Sequence, residues 1–158
     1  MNGVITLLGR FALVTLGYCA ASLAASAFLN LLLLAGAGVT ADEAYWLATG
    51  PLVFTIPFAA LFVAWFAFLP ASAAILLSEA LGARDWPFHS LAGAAVALAV
   101  TAVRRSKAGS GSSVSDPGLI VVLAGVGMIG GIVYWAVAGR SAGAWRRPLR
   151  PEQRERRP

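Results

Sequence analysis

Glu79, Arg84, Asp85 and His89 are the side chains whose types and spacing come nearest to chemistry. Two carboxylates, a guanidinium and an imidazole that titrates near neutral pH make a set capable of acid/base work or of responding to protons. A metal would need three or four well-spaced ligands, and one histidine beside two acids does not supply them. The group falls between two apolar stretches, where it reads as an interfacial turn with solvated charges. Cys19 is the single cysteine, so an intrachain disulfide and a cysteine-based metal cluster are both excluded. No catalytic, cofactor-binding or metal-ligating residue is assigned from the sequence, and the expectation is a protein that is not an enzyme.

The elements that hold this group are set by composition. Apolar residues make up 59% of the 158-residue chain and charged residues 12%, against roughly 45–50% and about 25% in a soluble domain. A chain of this size cannot fold so much apolar surface away from water, and the excess requires lipid. A soluble enzyme, a nucleic-acid-binding domain and a disordered protein are excluded on that ground. Long uncharged runs mark four candidate membrane spans, at about residues 11–34, 52–78, 87–103 and 118–139. None alternates apolar and polar residues as a membrane β-barrel would. The predicted fold is all-α: a polytopic bundle of four transmembrane helices with a short interfacial helix, residues 1–143, followed by a tail, residues 144–158.

Local signals mark the boundaries. Thr40-Ala41-Asp42-Glu43 has the Thr-x-x-Glu spacing of a capping box, and Gly50-Pro51 breaks the apolar sequence that follows. Residues 41–49 are therefore expected to form a short helix in the interface, with Tyr45 and Trp46 in the headgroup layer. Pro57 and Pro70 are expected to kink the second span. Asp116-Pro117 reads as the N-cap and first residue of the fourth. Ala35-Gly36-Ala37 resembles a signal-peptide cleavage site, but the preceding apolar stretch is much longer than an h-region of roughly 7–15 residues.

The four spans hold no charge away from their ends, which argues against a proton-coupled transporter. Small residues give the sharper pattern. Gly17, Ala21 and Ala25 recur at four-residue spacing on the first span, and Gly127 and Gly131 form a GxxxG pair on the fourth. Lipid provides no hydrophobic drive between helices, so such stripes permit the close backbone contact that supplies attraction instead. Packing within the monomer, a homo-oligomer contact and chance in an Ala/Gly-rich chain are the three readings of these stripes.

The charge is unevenly placed. Basic and acidic residues balance up to Gly139; beyond it, Arg140, Arg146, Arg147, Arg150, Arg154, Arg156 and Arg157 face only Glu152 and Glu155 and carry the whole net charge of +5. This segment is proline-rich and aperiodic, so it is expected to be disordered and to lie on anionic lipid headgroups rather than on nucleic acid. The Gly/Ser-rich run at 108–115 reads as a flexible linker and lacks the Gly-Lys-Ser/Thr ending of a phosphate loop. With both termini cytoplasmic, nine of the twelve basic residues lie inside; the reverse orientation leaves three. Arg104, Arg105 and Lys107, after the weak third span, stand against that assignment.

The run from Gly130 to Gly143, GGIVYWAVAGRSAG, resembles the C-terminal segment of small four-span bacterial inner-membrane proteins that have no assigned reaction. The resemblance covers about a tenth of the chain and implies a multi-pass inner-membrane protein without a known activity. Tyr134 and Trp135 are read there as an aromatic anchor and Arg140 as a cytoplasmic stop. Two functions follow as expectations. One is a non-enzymatic accessory or scaffold subunit that works by helix association, as a homo-oligomer or within a larger membrane complex. The other is a small oligomeric channel or transporter for a neutral or small solute, with Ser, Thr and Asn30 along its path.

Overall fold

A computed structural model describes residues 2–108 and 117–143. All regular structure among them is helical: α1 (Asn2–Gly36), α2 (Ala41–Thr49), α3 (Pro51–Leu81), α4 (Trp86–Ala108) and α5 (Pro117–Val137), then a single 3-10 turn, Gly139–Ser141. Four of them, α1, α3, α4 and α5, are long and apolar enough to cross a membrane. The linker at 109–116 with Asp116, and the tail at 144–158, lie outside the described residues.

Each neighbouring pair in the bundle is antiparallel, and the ring order is α1, α5, α4, α3. The large side chains face outward. Trp65, Leu69, Phe54 and Val121 are among the most exposed residues, while the buried positions among the described residues are Gly, Ala, Ser, Thr, Val, Tyr and His. This inverts the pattern of a soluble bundle, as lipid outside and close backbone packing inside require.

The short helix α2 forms where the sequence places it. Thr40 Oγ1 accepts from the Glu43 amide at 3.4 Å, and Glu43 Oε2 accepts from the Thr40 amide at 2.9 Å, closing the reciprocal box. Tyr45 and Trp46 are exposed. Helix α3 continues through Pro57 and Pro70 and ends at Gly82, whose φ of 63° is the left-handed conformation that favours glycine.

Two boundaries differ from the sequence reading. Helix α1 begins at Asn2 rather than at Phe11, so Arg10 is an interior residue of a helix and not its flank. Helix α4 runs five residues past Val103 and carries Arg104 and Arg105 in its last turns. Both extensions arise because charged residues are good helix formers and the reading stopped at the first charge.

Candidate functional site

The polar residues of the bundle gather at the end where α1 begins and α5 finishes. Arg10 Nη2 and Glu79 Oε1 form an ion pair, with each side chain less than one fifth exposed. Arg10 Nη1 also donates to the Ala138 carbonyl at 3.3 Å and to Ser141 Oγ. The second carboxylate oxygen of Glu79 accepts from the Gly143 amide at 3.1 Å. One carboxylate thus joins α1, α3 and the turn after α5. Hydrogen bonds that involve a charged partner are worth about 1.5–3 kcal/mol each, so this is a strong tie for a bundle without hydrophobic drive.

Around this pair the loop between α3 and α4 is pinned to α5. Arg84 Nε donates to the Ala142 carbonyl at 2.8 Å, and the Trp135 indole donates to the Arg84 carbonyl at 2.6 Å. The Arg140 guanidinium lies over the Trp135 ring at 4.6 Å. His89 is buried and its Nδ1–H donates to the Asp85 carbonyl at 3.0 Å, while its ring stacks on Tyr134 with centroids 5.8 Å apart. Gly139 faces the imidazole so closely that a Cβ there would come within 2.8 Å of Nε2.

Two sequence expectations are corrected by this arrangement. The charges of the cluster are not solvated: Glu79 and Arg84 are engaged inside the fold and His89 is buried, with only Asp85 exposed and contributing its backbone carbonyl alone. Tyr134 is not a headgroup anchor, because it is buried in the helix interface. The Arg10–Glu79 pair lies toward the start of α1 and in the last turn of α3, in keeping with spans that hold no charge away from their ends. Arg10 was missed as a member of the cluster because its partner lies 69 residues away. A lone arginine after an apolar helical turn was its only trace.

The small-residue positions lie at the closest contacts of the helices. A Cβ on Gly127 would fall 2.3 Å from the Gly93 carbonyl oxygen, and one on Gly131 would fall 2.1 Å from that of His89. The α4 and α5 backbones therefore touch. Gly17 meets Ala138 and Tyr134, and Ala21 and Ala25 lie against Gly130, which seats α1 on the other flank of α5. Gly93, spaced four residues from Ala97, is the partner the sequence reading overlooked, because the third span was taken as the weakest.

Helix α3 is held differently. Its carbonyls accept side-chain donors from α1, with Ser26 Oγ bonded to the Ile56 carbonyl at 2.8 Å and Tyr18 to that of Ala64 at 2.5 Å. Beside it, between all four long helices, lies a cavity of about 680 Å³. Alanine and glycine on α1, α4 and α5 leave this space, and Phe62, Phe66, Val96, Val100 and Leu123 give it an apolar wall. Ser22, Ser78 and Thr101 also reach it, but all three bond locally: Ser22 to the Tyr18 carbonyl at 3.0 Å, Ser78 to the Ile75 carbonyl at 2.8 Å and Thr101 to the Ala97 carbonyl at 2.8 Å. Asn30 does not line it; its amide bonds to the Ser26 carbonyl at 2.9 Å. At the end away from the polar residues, Arg104 borders the cavity with its guanidinium over Phe66 at 4.4 Å.

Among the described residues no group of three or more His, Cys, Asp or Glu is placed to hold a metal ion. Comparison with protein-family models, curated proteins and solved structures finds no match. On its own structure, the chain is a multi-pass membrane protein built as an all-α bundle of four membrane-spanning helices.

Proposed function

We propose that the protein is a non-enzymatic accessory or scaffold subunit of the bacterial inner membrane that works by associating with another membrane protein. The observation that carries this reading is the start of α1. Every residue from 4 to 9 is exposed, and nothing lies within 4 Å of a Cβ placed on Gly9. Helix α1 has 35 residues, about 52 Å at roughly 1.5 Å per residue, against a hydrocarbon core of about 30 Å. Its first two turns reach beyond the Arg10–Glu79 layer with Val4, Ile5, Leu7 and Leu8 unpacked, a handle for a partner helix. The groups that could do chemistry support the same reading, since Arg10, Glu79 and Arg84 already have partners inside the fold. The apolar cavity wall sets a channel behind it.

A photo-crosslinking residue at Leu7 tests this. The expected result is one discrete adduct with a different membrane protein, and the same adduct absent from a crosslinker placed at Leu98. A self-adduct would assign the handle to a homo-oligomer. Labelling by lipid alone at both positions would overturn the reading.

In the same proposal both termini are cytoplasmic, a reading supported by the nine-to-three division of basic residues. Residues 144–158 then lie on the anionic inner leaflet. Cysteines replacing Ser112 and Gln153 singly, in a Cys19→Ser background, test this with an impermeant reagent in intact cells. Position 112 is expected to label and position 153 to be protected; the opposite result inverts the topology.

A further inference from the structure

We propose that the interhelical cavity is a binding site for an anionic phospholipid, with one acyl chain between the helices and its phosphate on Arg104. Three observations converge. The cavity is apolar, and at about 680 Å³ it falls within the range of roughly 300–1,000 Å³ typical of sites for small molecules. Its wall is therefore matched to hydrocarbon and not to a hydrated solute. It also reaches the surface, because the lining residues Phe62 and Phe66 are about half exposed. A lipid chain can enter sideways from the bilayer.

The third observation is charge. Arg104 is the one ionic side chain bordering the apolar part, and among the described residues no carboxylate forms an ion pair with it. Its guanidinium rests on Phe66 while the residue stays exposed, which fixes the fork at the rim without occupying its donors. A planar fork of N–H donors matches phosphate bidentately. In the sequence Arg104 is followed by Arg105 and Lys107, within one turn of α4. This accounts for a sequence feature the orientation argument leaves over: three basic residues at the end of α4, opposite the start of α1 and the end of α5.

The far end of the site is lined by aromatic rings. Fifteen residues of α4 separate Arg104 from His89, about 22 Å at roughly 1.5 Å per residue, and the stacked His89–Tyr134 pair stands there. An acyl chain anchored at Arg104 runs down α3 and α4 and stops against these rings. It replaces the dispersion contacts that Ala67, Ala71 and Ala74 are too short to make across the gap.

Native mass spectrometry of the full chain in mild detergent, after exchange into phosphatidylglycerol or phosphatidylcholine, tests the site. The wild type is expected to retain one phosphatidylglycerol in preference to phosphatidylcholine. Arg104→Gln should lower that preference about fivefold, since one arginine near anionic lipid is worth about that much, and Arg104→Lys should lower it less. Ala67→Phe fills the cavity and should abolish retention of both lipids. Unfolding temperatures of all three variants close to wild type keep a folding defect from imitating the result. Equal retention by Ala67→Phe would overturn the cavity as the site. An unchanged preference in Arg104→Gln, with loss in Arg140→Gln, would move the lipid to the opposite end and overturn the proposal as well. The outcome is independent of whether Leu7 finds a protein partner.

Discussion

The seam between α4 and α5 and the seam between α4 and α3 share one helix and are built in opposite ways. On the first, Gly93, Gly127 and Gly131 carry no side chain, and the two backbones meet. On the second, Phe62, Phe66 and their alanine neighbours line a gap, and the Arg104 guanidinium rests on the Phe66 ring beside it. In lipid, apolar side chains gain nothing by leaving the solvent, so cohesion depends on how many atoms actually touch. The smaller residues therefore make the tighter seam.

The largest effect is expected where the backbones touch. Gly131→Leu must place its Cβ where the His89 carbonyl oxygen already stands, at 2.1 Å. A carbonyl in a helix cannot step aside as a side-chain tip can. Thermal unfolding in detergent should show a loss at or above the top of the about 1–3 kcal/mol usual for overpacking. Gly125→Leu, with nothing within 4 Å of its Cβ, should unfold like wild type. Equal stability of the two variants would dissolve the contrast between the seams.

Next comes the tie at the end of the bundle. Glu79→Gln keeps the shape but removes the charge that faces Arg10 and weakens the acceptor for Gly143. The expected loss is about 1–3 kcal/mol, and Asp85→Asn, at an exposed carboxylate, should cost nothing measurable. If both variants behave alike, the Arg10–Glu79 pair does not hold α1 to α3.

How much of this was legible in the sequence depends on the distance over which each signal acts. The four spans, the capping box at Thr40 and Glu43, and the small-residue stripes are properties of consecutive residues, and each is found at or near its expected place. Arg10 and Glu79 acquire meaning only from each other across two helices, so the sequence offered a flank and a turn in place of one ion pair. Tyr134 shows the same limit. Beside Trp135 it has the composition of a headgroup anchor, and only the approach of His89 from α4 and of Gly17 from α1 makes it a buried residue. The cavity had no sequence signal, because it is defined by what four separate helices fail to fill.

A smaller effect of opposite sign is expected at the looser seam. Ala67→Leu extends a side chain toward the cavity, where room exists. In detergent it should raise stability by about 0.5–2 kcal/mol, as cavity-filling substitutions commonly do. A loss as large as that of Gly131→Leu would mean that this seam is as tightly packed as the other.

The smallest effect lies outside both seams, at α2, where the Glu43 carboxylate completes the capping box. Glu43 is held below the ordinary glutamate range, first by the hydrogen bond from the Thr40 amide and then by that from the Thr40 hydroxyl. Both bonds favour the ionised form, so folding depresses the pKa. The sign follows: the contribution is complete above the ordinary glutamate pKa and is lost as pH falls through the lower folded value. Acidification from pH 7 to about 3, across the usual carboxylate range, should therefore fray the start of α2 and leave the glycine seam intact. Amide exchange read by NMR checks this, with loss of protection expected at Thr40 and none at Gly131. Glu43→Gln retains an acceptor at the same position, since glutamine also completes a capping box, and should make the Thr40 amide indifferent to pH. Protection at Thr40 that falls equally in wild type and in Glu43→Gln would show that the acid acts elsewhere, on Asp42 or on the lipid surface.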